Sequence, residues 1–180
     1  MLEAEAENFR QAGVRVGMDE RGAEENLLEE SLAPFPLNLR NEAVRMGRLY
    51  ATLYCFENSV RELIQARLSE QDPDWWNTAK VPTKVRNTAQ TRMNDAQKNS
   101  WLEGVNQDTL GFVDFGGLCD IITHNWNDFA DLVPSQHWLK QRFDELERAR
   151  NFVAHNRMLS AAEFARLEMY VRDWNRQVGI

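Results

Sequence analysis

The 180-residue chain reads as all-α, a helical bundle of four to five main helices. Three observations predict it. Apolar residues recur at steps of three and four through most of the chain, the period of a helix with one buried face. No β-type alternation lasts more than a few residues. Asp or Ser stands immediately before several of the periodic stretches, where its side chain can cap a helix N-terminus.

Residues 1–36 read as an acidic N-terminal arm and 37–180 as the helical domain, with Pro34 and Pro36 at the join. The arm is Glu-rich, and Leu27, Leu28 and Leu32 are its main large apolar residues. It reads as a solubilising tail or a docking arm. The first long helix is expected over 40–70, where Met46, Leu49, Leu53, Phe56, Val60 and Ile64 share a face. Glu57 lies within that face, and carboxylates are rarely buried without a partner. Arg61, one turn on, is its local partner. The alternative is that Glu57 reaches across to orient Arg150.

A connection follows with Trp75 and Trp76, which read as core anchors or as a platform for stacked bases. A polar helix is expected over 83–99 with a thin stripe of Val85, Ala89, Met93 and Ala96. Next comes 114–132, capped by Asp114, with Leu118, Ile121, Ile122 and Phe129 as its apolar positions. His124 and Asp128, one turn apart, lack the further ligands a metal site needs. Ser135 can cap a helix over 136–156. Ser160-x-x-Glu163 is a capping box opening the last helix, over 161–177.

Composition bounds the function. Hydrophobic content of 43% suits a soluble globular domain, and no apolar run approaches a membrane span. The N-terminus has no apolar signal core, so a cytoplasmic protein is expected. Cys55 and Cys119 are expected to be buried, reduced thiols. The net charge of −7 argues at first against nucleic acid. However, residues 1–30 alone carry −6, which leaves the body near neutral. Lys80, Lys84, Arg86, Arg92 and Lys98 form a local basic segment that reads as a solvated face or as an RNA-backbone contact.

The chemistry concentrates in Leu139–Ser160, LKQRFDELERARNFVAHNRMLS. Leu139, Phe143, Leu146 and Val153 form one apolar stripe. Arg150 falls within it, where a permanent cation is expensive without a partner. Asn151 follows, and His155 stands five residues on, near the expected helix end. An arginine can fork hydrogen bonds to phosphate oxygens, an asparagine can place a phosphate or ribose, and a histidine can transfer protons near neutral pH. Together they suit attack of a ribose 2′-hydroxyl on the adjacent phosphodiester, which needs no metal or other cofactor.

Arg150-Asn151…His155, the block DFGGLCDIITHNWNDF, the segments ARNFVAHN and RMLSAAEF, and ENSVREL at Glu57–Leu63 resemble the HEPN superfamily. The branch is the one found at the C-terminus of a yeast nuclear endoribonuclease and in many bacterial proteins. The resemblance covers roughly residues 40–178. It implies a helical bundle, a homodimer with two motifs facing one cleft, RNA as partner and metal-independent endoribonuclease chemistry. By it, Arg150, Asn151 and His155 are catalytic. Glu57, Arg61 and Arg148 would support them, and Arg157 would join the basic segment at the RNA backbone. The cellular setting stays open: a toxin with a cognate antitoxin, a phage-defence effector or a housekeeping factor. The alternative is a non-catalytic module for RNA or protein binding and dimerisation. One geometric difficulty stands out. Residues five apart on a straight helix differ by about 140° around its axis, so Arg150 and His155 do not face one phosphate. Either the helix unwinds near His155 or a second copy completes the site.

Overall fold

The computed structural model describes residues 28–98 and 108–179. Among them there is no strand, and the order is α1 (Leu37–Ser69), α2 (Thr83–Lys98), α3 (Phe115–His124), α4 (Gln136–Ala154) and α5 (Ala161–Val178), with short 3₁₀ turns between. Two compact units divide the chain, one ending at Arg45 and the other beginning at Met46, within α1. In the first, residues 28–32 are helical and Leu37, Leu39 and Val44 are exposed. The rest of the arm, residues 1–27, lies outside the described residues.

The core of the larger unit follows from periodicity. Leu49, Leu53, Phe56, Val60, Ile64 and Leu68 are buried on one stripe of α1. Leu139, Phe143, Leu146 and Ala149 do the same on α4, and Leu167, Tyr170 and Trp174 on α5. Phe56 is the hub. Its ring stacks on Phe115 at 5.7 Å between centroids and meets Phe143 and Trp174 edge-on at 5.5 and 5.6 Å. Four helices therefore close on one aromatic cluster, an arrangement aromatic rings prefer over face-to-face sandwiches. Trp75 is buried and sets its edge against Trp76 at 5.7 Å, so this pair anchors the core rather than presenting a stacking platform.

The caps stand where the sequence places them. Asp114 accepts the Gly117 N–H at 3.0 Å and Ser135 the Trp138 N–H at 3.1 Å. Ser160 and Glu163 complete a reciprocal capping box. The expectation of one helix over 114–132 is corrected: α3 stops at His124. The Asn125 amide donates to the Ile121 carbonyl at 2.8 Å and the Lys80 carbonyl at 2.7 Å, competing with the helix ladder in the way short amide side chains do. A 3₁₀ turn, Trp126–Asp128, follows. A second correction concerns the thiols: Cys119 is buried but Cys55 is exposed. Cys55 sits beside the exposed Tyr54 on the face of α1 opposite the core stripe.

Candidate functional site

The site is built on the C-terminal half of α4. That helix ends in a Schellman turn. The Asn156 N–H reaches the Val153 carbonyl at 2.9 Å and the Arg157 N–H reaches the Phe152 carbonyl at 3.2 Å. Asn156 takes the left-handed position, φ 55°, which asparagine tolerates better than most residues. The Arg157 guanidinium lies 5.5 Å from the Phe152 ring centre and closes the turn. His155 is the C-cap and is exposed, as is Asn151.

This ending decides one of the two ways round the angular difficulty. The chain stays helical through Ala154, so nothing unwinds between Arg150 and His155. Their bearings remain about 140° apart. Ala149, not Arg150, continues the buried stripe, and Arg150 is half-buried at its edge.

Arg150 faces the N-terminus of α3. Glu147, three residues before it on the same face of α4, brings its carboxylate to 3.5 Å from where a Cβ on Gly116 would stand. Asp114 caps α3 there and is bonded by Arg92, which also donates to the Phe112 carbonyl at 3.1 Å. Burial pushes the Asp114 carboxyl up. The bonds from Arg92 and the Gly117 N–H, with the charges of Arg92 and Arg150, outweigh burial and hold it below its ordinary value. Glu147 goes the other way. Burial and then the like charge of Asp114 hold it above its ordinary value, against the opposing charges of Arg150 and Arg92. The charge of Arg150 acts on both of these acids, which the sequence alone did not point to, but its guanidinium makes no ion pair with either. The signal available was the i,i+3 spacing of Glu147 and Arg150. A cleft of about 210 Å³ adjoins them, lined among others by Lys84, Thr88, Arg92 and Asp120, but neither Arg150 nor His155 lines it.

Glu57 does not reach Arg150. Its carboxylate is bonded by Arg61 at 2.5 Å, and the two side chains are only 16% and 15% exposed. Arg61 also donates to Asn58 Oδ1 at 3.2 Å and to the carbonyls of Leu110 at 3.2 Å and Val113 at 2.9 Å. The local i,i+4 pair therefore wins. It clamps the turn before α3, and Glu57 makes no direct ion pair with Arg150.

Much of the basic segment is also committed to the fold. Arg86 donates to the Thr78 and Val81 carbonyls. Lys80 bonds Asp128 at 3.2 Å and Gln71 at 2.6 Å, and Arg92 bonds Asp114. Lys84 and Lys98 are exposed. Lys98 makes an exposed i,i+3 pair with Asp95, of a kind that contributes little. Arg148 and Arg157 are exposed near the motif. The Nε2 of His124 lies 2.8 Å from the Ala79 carbonyl, and its neighbour Asp128 is held by Lys80. No group of three His, Cys, Asp or Glu side chains poised around a metal occurs among the described residues.

The family model described as Swt1-like HEPN matches residues 51–179, nearly three-quarters of the chain. The chain belongs to the Swt1-like HEPN family. No curated protein and no solved structure matches it. The HEPN match runs from α1, just before Glu57, to the end of α5, and so contains Arg150, Asn151 and His155 together with the acids around Arg150. The all-helical bundle is the HEPN fold the sequence resemblance implied. Among the described residues no helix is long and apolar enough to cross a membrane.

Proposed function

We propose that this Swt1-like HEPN protein is an endoribonuclease that cleaves RNA by attack of the 2′-hydroxyl on the adjacent phosphodiester. The observation that carries the reading is the intact Arg150-Asn151…His155 set in a HEPN chain, with His155 exposed at the capped end of α4. His155 moves the proton, as imidazole suits near neutral pH. Arg150 stabilises the charge gathering on the phosphoryl oxygens, and Asn151 positions substrate. The products are a 2′,3′-cyclic phosphate and a 5′-hydroxyl, and the chemistry asks nothing of a metal. Unpaired RNA is the substrate, because its backbone can bend the 2′-hydroxyl into line with the scissile phosphate.

The angular separation of Arg150 and His155 supports a two-fold homodimer in which both motifs lie along one cleft, so that one protomer completes the other's site. A free ribonuclease needs restraint in a cell, which fits a toxin or phage-defence effector held by a cognate antitoxin or other regulatory protein.

The decisive experiment is cleavage of total RNA in EDTA by the wild type and by His155→Ala. Loss of a general acid/base costs about 10²–10⁴-fold, so the variant should fall by that much while its helical circular dichroism stays unchanged. DNA should resist. Equal activity in the variant, loss of activity in EDTA, or DNA cut as fast as RNA would each refute the mechanism. One observation favours the second reading, a non-catalytic RNA- or protein-binding module: Arg150 already has acidic company in Asp114 and Glu147. That reading predicts no cleavage by the wild type.

A further inference from the structure

Between α4 and α5 lies an open cleft of about 400 Å³, on the face of α4 away from Arg150. Its floor is apolar, made of Ala149, Phe152, Leu159 and Leu167, and Arg148 and Arg166 stand at its rim. Glu145 and Glu163 also line it, but both carboxylates are engaged. Glu145 takes the Arg166 Nε at 3.2 Å and the Tyr170 hydroxyl at 3.2 Å. Glu163 accepts the Ser160 N–H at 2.8 Å in the capping box. Arg148 is exposed and makes no hydrogen bond or ion pair among the described residues.

The position of the cleft matters more than its size. Arg148 and His155 are seven residues apart, so they lie within about 20° of one bearing on α4, two turns apart. Phe152 lies between them, about one turn from each. The row Arg148, Phe152, His155 thus runs along one side of α4: the cation and the aromatic ring line the cleft, and His155 follows one turn on, outside its lining. Arg157 adds a further cation beside the ring.

We propose that this cleft is a nucleotide subsite for single-stranded RNA. A base lies on the Phe152 ring over the apolar floor, Arg148 forks to its phosphate, and the next phosphate stands at His155. The inference rests on the endoribonuclease reading for the role of His155, but the binding itself does not require cleavage. The occupant follows from charge and shape together. Glu145 and Arg166 neutralise each other and Glu163 keeps its charge at the start of α5, so the cations left here without an ion pair among the described residues are Arg148 and Arg157 on the α4 side, and a guanidinium matches a phosphate in two bonds. A cationic groove with an aromatic platform is how unpaired strands are held without sequence preference.

The test uses the full chain and a short fluorescent RNA whose 2′-hydroxyls are methylated, so that it cannot be cut by this route. Anisotropy is measured for the intact oligomer and for versions with one base removed at each position in turn. Stacking on an aromatic side chain should make one abasic position cost roughly 5- to 100-fold in wild-type affinity. Phe152→Leu should weaken the intact oligomer by a similar factor and no longer respond to that abasic position. Arg148→Ala should weaken all oligomers alike and lower the slope of log affinity against log salt by about one. Arg148 is exposed, so its variant tests the subsite even if Phe152→Leu melts early. Wild-type binding indifferent to every abasic position, or Arg148→Ala binding as wild type, overturns the subsite. If His155→Ala abolishes cleavage while these variants bind normally, the subsite falls and the endoribonuclease stands. If the wild type cuts nothing yet binds with the expected dependence on Arg148 and the base, the subsite stands alone.

Discussion

Removing Arg61 tests how the start of α3 is held, and whether Glu57 belongs to the fold or to the chemistry. Its guanidinium binds Glu57, Asn58 and the carbonyls of Leu110 and Val113, with only 15% of the side chain exposed. Arg61→Ala leaves a mostly buried carboxylate without its cation. Breaking so buried a pair costs about 3–5 kcal/mol. Two features reduce this. The Leu110 carbonyl keeps the Val113 N–H at 3.1 Å, and the remaining exposure lets water reach the Glu57 carboxylate. About 3 kcal/mol is therefore expected, or roughly 6–12 °C in Tm for a chain of this size. Glu57→Gln keeps an acceptor oxygen and should cost only ~1 kcal/mol. The double variant Glu57→Gln/Arg61→Met should lose less than the sum of its two single substitutions, because neither charge is then left alone. Urea unfolding followed by helical circular dichroism reads all of these. A loss below ~0.5 kcal/mol for Arg61→Ala, or strict additivity, would show that the pair is screened surface decoration. The same Glu57→Gln protein carries the functional discriminator. Its RNA cleavage per folded molecule should match wild type. Full stability with lost cleavage would put Glu57 back beside Arg150.

Other expectations are as direct. A maleimide at pH 8 should modify one thiol per native chain, Cys55, and two after unfolding, because burial and then the charges of Asp120 and Asp144 push the Cys119 thiol up to about 12; rapid double labelling of native protein would contradict this. Glu147 has its folded-state value raised above the ordinary 4.5, so the stability it contributes is present below 4.5 and lost as pH rises through the folded value. Glu147→Gln should therefore raise Tm at pH 7, with the gain fading towards pH 4.5; a lower Tm at pH 7 would show that its attraction to Arg150 outweighs burial. Gly117→Ala places a Cβ 2.6 Å from Val113 Cγ1, and overpacking of that kind costs about 1–3 kcal/mol, readable by the same urea titration; a neutral result would mean that Val113 turns aside freely.

The helices were legible because burial leaves a period in the sequence. Leu49, Leu53, Phe56, Val60 and Ile64 announce α1 by spacing alone, and Asp114, Ser135 and Ser160 announce three helix starts by their capping chemistry. Asn125 was not read as a stop, because an asparagine within an apolar period is a break only if its amide finds a carbonyl to bind. Cys55 is different: it lies about 150° round α1 from the buried stripe, so the same periodicity points it outward, and its apolar neighbours in sequence do not bury it.

The site was legible as residues and not as partners. Arg150, Asn151 and His155 are conspicuous by type, and the helix end at His155 has a readable signal in Asn156 at the left-handed position. What the spacing could not supply is which carboxylate meets which cation. Glu57 offered two partners and took the one on its own helix, since an i,i+4 pair forms without bringing distant chain segments together. That choice changes the picture of Arg150. With Glu57 engaged elsewhere, its charge is balanced from the α3 side by Asp114 and from its own helix by Glu147, on a bearing that His155 does not share. α4 thus separates two surfaces: a charge-balanced one holding Arg150, and an open one carrying Arg148, Phe152 and His155. In a single chain the proposed proton-transfer group, His155, and the proposed phosphate clamp, Arg150, stand back to back. If the proposed chemistry holds, a dimer-disrupting substitution distant from the motif should abolish cleavage while leaving oligonucleotide binding at the Arg148 face intact. Light scattering beside the cleavage assay decides it: a monomer with undiminished cleavage would remove the need for a second copy, and Arg150 would have to reach round α4 by itself.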